Sequence, residues 1–256
     1  MLKAKKVNII FNSLIAISIL LCFLLEWSFW IPFIIAVIWL TITIVGSFKI
    51  GLNYHLNSIN SNANIFVNKV SITFDDGPHP KFTPKVLDLL KKYNAKATFF
   101  CIGKNLELYP DIAKAILEEG HSIGNHTYSH SPVFGFFNTK KVMAELQRTN
   151  AIMTDFVQMK PLLYRPVYGV TNPSIRKAVK RMDIQSIGWS VRSLDTVLSE
   201  EKAFKRLLKT KKGDIILLHD TSEKTVNILE RLLRFLSEQN LNSVTVNELL
   251  NIKAYA

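Results

Sequence analysis

Charge is almost missing from the start of this chain: between residues 7 and 48 the only charged side chain is Glu26. A surface helix of a soluble domain carries a polar face, so so long an apolar stretch excludes an ordinary surface segment. Cysteine is scarce too, with two in 256 residues. Cys22 lies in the apolar run and Cys101 in an expected strand, so the two are not expected to pair. That excludes a disulfide scaffold and leaves the redox compartment undefined. The chain has no internal repeat and no long low-complexity tract. It also lacks a concentrated basic motif. The net charge is +12, but groups such as Lys211-Lys212 and Arg231/Arg234 are short and carry no interleaved aromatics. They read as solvated helix faces, and nucleic acid is not an expected partner.

The apolar run exceeds the roughly 20 residues of one membrane helix and suits two. Residues 7–25 and 29–48 are the expected spans, joined by a tight turn at 26–28. Trp27 and Trp30 fall where interfacial aromatics belong, and Pro32 near a helix start. A signal peptide would be shorter and end in a small-residue cleavage site. Leu20-Leu21-Cys22 lacks the small residue expected before a lipoprotein cysteine. The expected organisation is a membrane anchor over 1–50, an Asn- and Ser-rich linker over 51–67 and a globular domain over 68–256.

Within that domain, strand and helix patterns alternate. Apolar or β-branched runs predict strands over 70–74, 97–102, 121–124, 162–164, 185–191, 214–218 and 243–246. Between them, sets such as Val86, Leu89, Leu90 and Tyr93 have helical spacing. This predicts an α/β fold with a parallel sheet, a distorted (β/α) barrel of about seven units, preceded by a transmembrane helical hairpin. In such folds the reactive groups gather beyond the strand C-termini. Asp75/Asp76, His126/His130, Arg165 and His219 all fall there.

Asp75 and Asp76 follow an apolar strand and precede the Gly77-Pro78 turn. Burying two ionised carboxylates in an apolar core is costly, and neighbouring strand residues point different ways. One is therefore free to reach a metal while the other acts as a base. His126 and His130 are four residues apart, which on a helical turn places both imidazoles on one face. Two imidazoles and one carboxylate make a zinc site with a position left for water.

Together these stretches resemble the polysaccharide deacetylases, the NodB-homology or carbohydrate esterase family 4 proteins. The motifs are Thr73-Phe74-Asp75-Asp76-Gly77-Pro78, His126-Thr127-Tyr128-Ser129-His130, Arg165-Pro166-Val167-Tyr168-Gly169 and Leu217-Leu218-His219. The resemblance implies that Asp76, His126 and His130 bind a divalent metal, with Zn²⁺ the expected ion. It implies that Asp75 is the base, paired with and oriented by Arg165. The Tyr168 N–H would hold the developing oxyanion, and His219 would protonate the leaving amine. The implied substrate is an N-acetylglucosamine-containing glycan, such as peptidoglycan, a chitooligosaccharide or a related envelope polysaccharide. One further family motif, D-x-x-D-W, stands here as Arg192-Ser193-Leu194-Asp195-Thr196. Read so, Arg192 replaces the Asp that supports the catalytic histidine, and Thr196 replaces the Trp of the acetyl pocket. A cation beside His219 would disfavour its protonated form. The alternative reading is therefore a catalytically weak, metal- and glycan-binding member. Lys3, Lys5, Lys6 and Lys49 favour cytoplasmic helix ends, whereas an envelope substrate leans the domain outward.

Overall fold

The structure, a computed structural model, describes residues 3–256. Two apolar helices come first, α1 (Ala4–Leu24) and α2 (Trp30–Phe48). Both are long enough to cross a bilayer, with mean hydropathies of 2.4 and 2.3. They pack as a hairpin, and Trp39 Nε1 donates to Asn8 Oδ1 across it at 3.0 Å. Their outward faces stay apolar and exposed, as at Phe23, Trp30 and Phe33.

The remaining strands are β1 (Lys69–Asp75), β2 (Ala97–Cys101), β3 (Ser122–Asn125), β4 (Leu163–Tyr164), β5 (Gln185–Ser186), β6 (Val191–Arg192), β7 (Ile215–His219) and β8 (Asn242–Ser243). All pair in parallel, in the order β5-β4-β3-β2-β1-β7-β6, with β8 beside β1. Helices α3 (Phe82–Lys92), α4 (Gly103–Leu108), α5 (Pro110–Glu118), α6 (Thr139–Val157), α7 (Pro173–Met182), α8 (Glu200–Leu207), α9 (Glu223–Glu238) and α10 (Val246–Leu250) cover the sheet and its ends. The result is the expected curled, barrel-like α/β sheet preceded by an apolar helical hairpin.

Strand alternation sorts the two faces. Val70, Ile72 and Phe74 of β1, Phe99 of β2, and Ile216 and Leu218 of β7 share one buried cluster with α3, α5 and α9. α9 meets it with Ile228, Leu229, Leu232, Leu233 and Leu236, one helical stripe. Ser222 starts α9 by accepting the Thr225 N–H in its side chain. The alternate residues face the barrel interior. Thr98 and Ser122 share a hydrogen bond of 2.7 Å there, and Thr73 Oγ1 donates to the Ile216 carbonyl at 2.7 Å. Continuing this alternation by one step brings Asp75 and His219 onto the interior face at the rim.

Three differences from the sequence reading matter for the site. The strand expected over 185–191 is broken in two. Ile187 still donates to Tyr164 of β4 and Ser190 already donates to Ile215 of β7, so 187–190 crosses the gap between sheet ends. Gly188 makes this crossing against the Asn60 side chain, where a Cβ has no room. The last strand is only Asn242–Ser243, because Thr245 accepts the Glu248 N–H and starts α10. Finally, the segment 51–67 is stitched to the barrel. Ile59 bridges Ile187, Ser61 bridges Asp214, and Ser58 Oγ meets Ser186 Oγ at 2.8 Å in a buried contact.

Candidate active site

β1 and β7 pair in register with Asp75 opposite His219, so the sheet itself sets these two side by side. Asp75 is buried, 4% exposed. The chain then turns sharply: Asp76 has φ +75° and Gly77 packs directly on the Asp220 carboxyl, leaving no space for a side chain. Asp76 Oδ1 comes 3.4 Å from His126 Nε2 and 3.1 Å from His130 Nε2. One donor atom from each of the three lies within 4.8 Å of the others.

The histidine pair does not sit on a helical turn as its spacing predicts. Residues 126–130 form an irregular loop in which Thr127 (φ +67°) and His130 (φ +47°) are left-handed. Two side chains hold that loop. Asn125 Oδ1 accepts the Thr127 N–H at 2.8 Å. Glu145 on α6 accepts the N–H groups of Tyr128 and Ser129 at 3.1 and 2.8 Å. His126 Nδ1 donates to the Arg165 carbonyl at 2.9 Å, which turns Nε2 toward Asp76. Burial alone would raise the Asp76 carboxyl, but the hydrogen bond and charge of His126, then His130 and His219, hold it well below the usual carboxylate range.

Arg165 lies in the barrel centre, fully buried. Its guanidinium donates to Asp75 Oδ1 at 2.8 Å, Thr73 Oγ1 at 2.6 Å, the Gly188 carbonyl at 2.8 Å and the Ile187 carbonyl at 3.3 Å. The Phe100 ring lies 4.0 Å from its central carbon. Tyr168 follows in a tight turn with φ +55°, half exposed, its ring edge-on to His130 at 4.9 Å.

The expectation for Arg192 is overturned. The β6–β7 register puts Arg192 opposite Leu217, two residues short of His219, and a left-handed residue at Leu194 (φ +60°) then turns the chain so that Asp195 meets the histidine. His219 Nδ1 donates to Asp195 Oδ1, and the His219 N–H to Asp195 Oδ2, both at 2.9 Å. Asp195 is fully buried and also accepts from Thr225 Oγ1 at 2.8 Å and from Ser193 Oγ at 2.9 Å. Burial pulls the His219 imidazole down, but the Asp195 hydrogen bond and charge, with Asp75 and Asp76, outweigh it and raise it to about 9. Arg192 is exposed, with its guanidinium 5.6 Å from the Trp189 ring.

These groups open into a cavity of about 320 Å³, which Trp189, Leu217, Arg192 and Thr196 complete. A larger cavity lies elsewhere, beneath the start of α1, and contains none of them. Every residue expected at the site is therefore present in one place. The sequence reading missed Glu145, which no motif marks, as well as the partner role of Asp195. It also missed Trp189, which backs Gly169 so closely that a Cβ there would stand 2.7 Å from the indole.

A curled parallel sheet with carboxylates and imidazoles converging at its C-terminal rim defines a β/α-barrel enzyme with an open candidate metal centre. The family profile "Polysaccharide deacetylase" matches residues 67–187. A peptidoglycan-N-acetylglucosamine deacetylase of Bacillus cereus is 38% identical over 191 residues, covering 72% of this chain and 89% of the relative. The crystal structure of the Bc1960 peptidoglycan N-acetylglucosamine deacetylase superposes with a TM-score of 0.72 at 32% identity, over 78% of this chain and 94% of that one. BA3943 of Bacillus anthracis, a CE4 family pseudoenzyme, superposes with a TM-score of 0.69 at 26% identity, over 76% and 69%. The chain belongs to the polysaccharide deacetylase family, hydrolases of amide bonds.

Two outcomes test this geometry. Glu145→Ala frees the 126–130 loop without touching a candidate ligand, and we expect zinc affinity, measured by competition with a chelating dye, to fall about 10–100-fold. Unchanged affinity would show that the loop holds itself. His219 is raised above its unfolded value near 6.5, so its pairing stabilises the fold fully below that pH and is lost as pH rises through about 9. Asp195→Asn should bring the NMR titration of His219 down toward the ordinary histidine range. A midpoint left near the wild-type position would remove Asp195 as its cause.

Proposed function

We propose that this protein removes N-acetyl groups from an N-acetylglucosamine-containing glycan of the cell envelope by metal-dependent hydrolysis. The observation that carries this is the convergence of Asp75, Arg165, the Asp76/His126/His130 cluster and the Asp195–His219 pair around one cavity. The relatives' named substrates support the glycan.

The cluster fits a divalent ion. His126 commits Nδ1 to the Arg165 carbonyl, which leaves the Nε2 lone pair as a ligand, and Asp76 is held as a carboxylate. Asp76, His126 and His130 would hold the ion, and two imidazoles with one carboxylate favour Zn²⁺. When bound, it supplies Lewis acidity toward the acetyl carbonyl and acidifies water. Arg165 occupies Asp75 Oδ1, so Oδ2 faces the cluster, 4.0 Å from His126 Nε2. From there Asp75 takes the proton of the attacking water. The Tyr168 N–H donates to the oxygen on which negative charge develops. His219, kept protonated by Asp195, gives its proton to the nitrogen as the C–N bond breaks. Acetate and a free amino sugar leave.

The second reading, a weak glycan-binding member, keeps one support in the likeness to a pseudoenzyme and another in Thr196, where the family carries Trp. Its main motive was Arg192, and Asp195 removes that. Zinc-loaded protein should release acetate from N-acetylated peptidoglycan fragments or chitooligosaccharides, and Asp75→Asn should lower the rate by about 10²–10⁴-fold. Zinc and glycan binding without acetate release would select the weak member instead.

We further propose that α1 and α2 anchor the domain in a membrane, with both helix ends and the barrel on one side. The family's envelope substrates favour the outer side, against the lysines at the helix ends. Protease added to intact spheroplasts should cut within 50–256. Protection until lysis would place the barrel inside and restrict the substrate to a precursor.

A further inference from the structure

A second cavity is larger than the catalytic one. It measures about 740 Å³ and lies where the start of α1 meets α7 and the segment after α2. Lys3, Lys5, Arg176, Lys177 and Lys180 line it, with His55 in its wall and no acidic residue among its lining. Lys5, Arg176, Lys177 and Lys180 form no ion pair among the described residues, although ion pairs are frequent elsewhere on the surface. Arg176 and Lys180 are four apart on α7 and Lys177 and Lys180 three apart, so like charges repel along one helix face. Such an arrangement is relieved by an anion. Phosphate is the anion that clustered lysine and arginine recognise, through charge and several N–H donors at once.

Position narrows the source of such a phosphate. α1 and α2 form a hairpin, so the start of α1 and the end of α2 lie at the same level. The cavity opens beside the first residues of α1, where a membrane-crossing helix passes through the headgroup layer. Apolar residues of α1 continue directly from it, with Ile9 and Ile10 exposed one turn further on. A ligand with a phosphate in the cavity and acyl chains along α1 matches both surfaces. We propose that this cavity binds the headgroup phosphate of an anionic phospholipid in the leaflet that the barrel faces.

The proposal rests on the reading of α1 and α2 as membrane helices. It gives the cavity a consequence for the catalytic rim. The Thr171 N–H, three residues after Tyr168, donates to the Ser47 carbonyl at the end of α2 at 2.9 Å, and Asn172 and Pro173 then start α7. A lipid held between α1 and α7 fixes the tilt of the barrel over the membrane through that same connection.

The test uses the full chain reconstituted in nanodiscs of phosphatidylcholine, alone or mixed with phosphatidylglycerol. Native mass spectrometry then counts the lipids retained on release. Wild type should retain phosphatidylglycerol in preference to phosphatidylcholine. The triple substitution Arg176→Gln, Lys177→Gln and Lys180→Gln should lower that preference by about a hundredfold, each cation contributing about fivefold. Lys209→Gln, Lys211→Gln and Lys212→Gln remove equal charge from exposed positions outside the cavity and should leave it unchanged. Equal retention by all three proteins would overturn the site, as would equal loss in both variants. Stripping of the lipid by inorganic phosphate alone would overturn the assignment to a lipid. Failure of every protein, wild type included, to enter neutral nanodiscs would instead strike the membrane reading beneath it.

Discussion

Arg165 buried against Asp75 is the interaction on which the rest of the structure turns. A guanidinium taken wholly out of water loses several kcal/mol of hydration, which is recovered only if its donors all find good acceptors. Here four of its five N–H donors have one: a carboxylate, a threonine hydroxyl and two main-chain carbonyls, with an aromatic face below. These partners come from three parts of the barrel. Thr73 and Asp75 are on β1, Ile187 and Gly188 on the segment that crosses the gap, and Phe100 on β2. The same residue's carbonyl sets the ring of His126. One side chain therefore fixes the candidate base, the crossing segment and a metal-ligand candidate together.

Around that centre, environment divides chemically similar groups into different roles. Asp76 and Asp220 both border the Gly77 turn. Nearby imidazoles hold Asp76 as a carboxylate, whereas burial pushes Asp220 up to about 7 despite its hydrogen bond from Thr83. The histidines part in the same way. Asp195 raises His219, while burial and the neighbouring His126 lower His130. The buried His126 is raised in turn by Asp75 and Asp76, so the three imidazoles of one cavity are set apart by their surroundings alone.

Much of this was legible in the sequence wherever a rule of period or composition acts alone. Strand alternation in β1 and β7 placed Asp75 and His219 at the rim, and hydropathy gave both long helices. The candidate site residues were legible as motifs. What stayed hidden depends on contacts between distant segments. The role of Asp195 depends on the left-handed turn at Leu194 just beyond the β6–β7 pairing, which no local pattern around Arg192 encodes. Thr127 and His130 are left-handed because Asn125 and Glu145 take up the loop's N–H groups, so a spacing that reads as helical is not. The strand at 185–191 breaks because its two halves serve opposite sheet ends. The five cations of the α1–α7 cavity are spread over almost 180 positions, and charge counting along the chain saw only diffuse basicity.

The stitching of residues 51–67 changes what the apolar hairpin is to this protein. Tyr54 packs under Gly46 of α2, Ser58 is tied to Ser186, and Ile59 accepts the Gly188 N–H from the very segment whose carbonyls hold Arg165. Ile50 fills the space beside both Gly169 and Gly188 that a side chain there would enter. The hairpin is thus no detachable handle. Trimming the chain back to the barrel, the usual route to a tractable water-soluble fragment, would strip the outer support from the arginine's carbonyl cradle and from the tyrosine turn at once. A sluggish fragment would then report the surgery and not the enzyme.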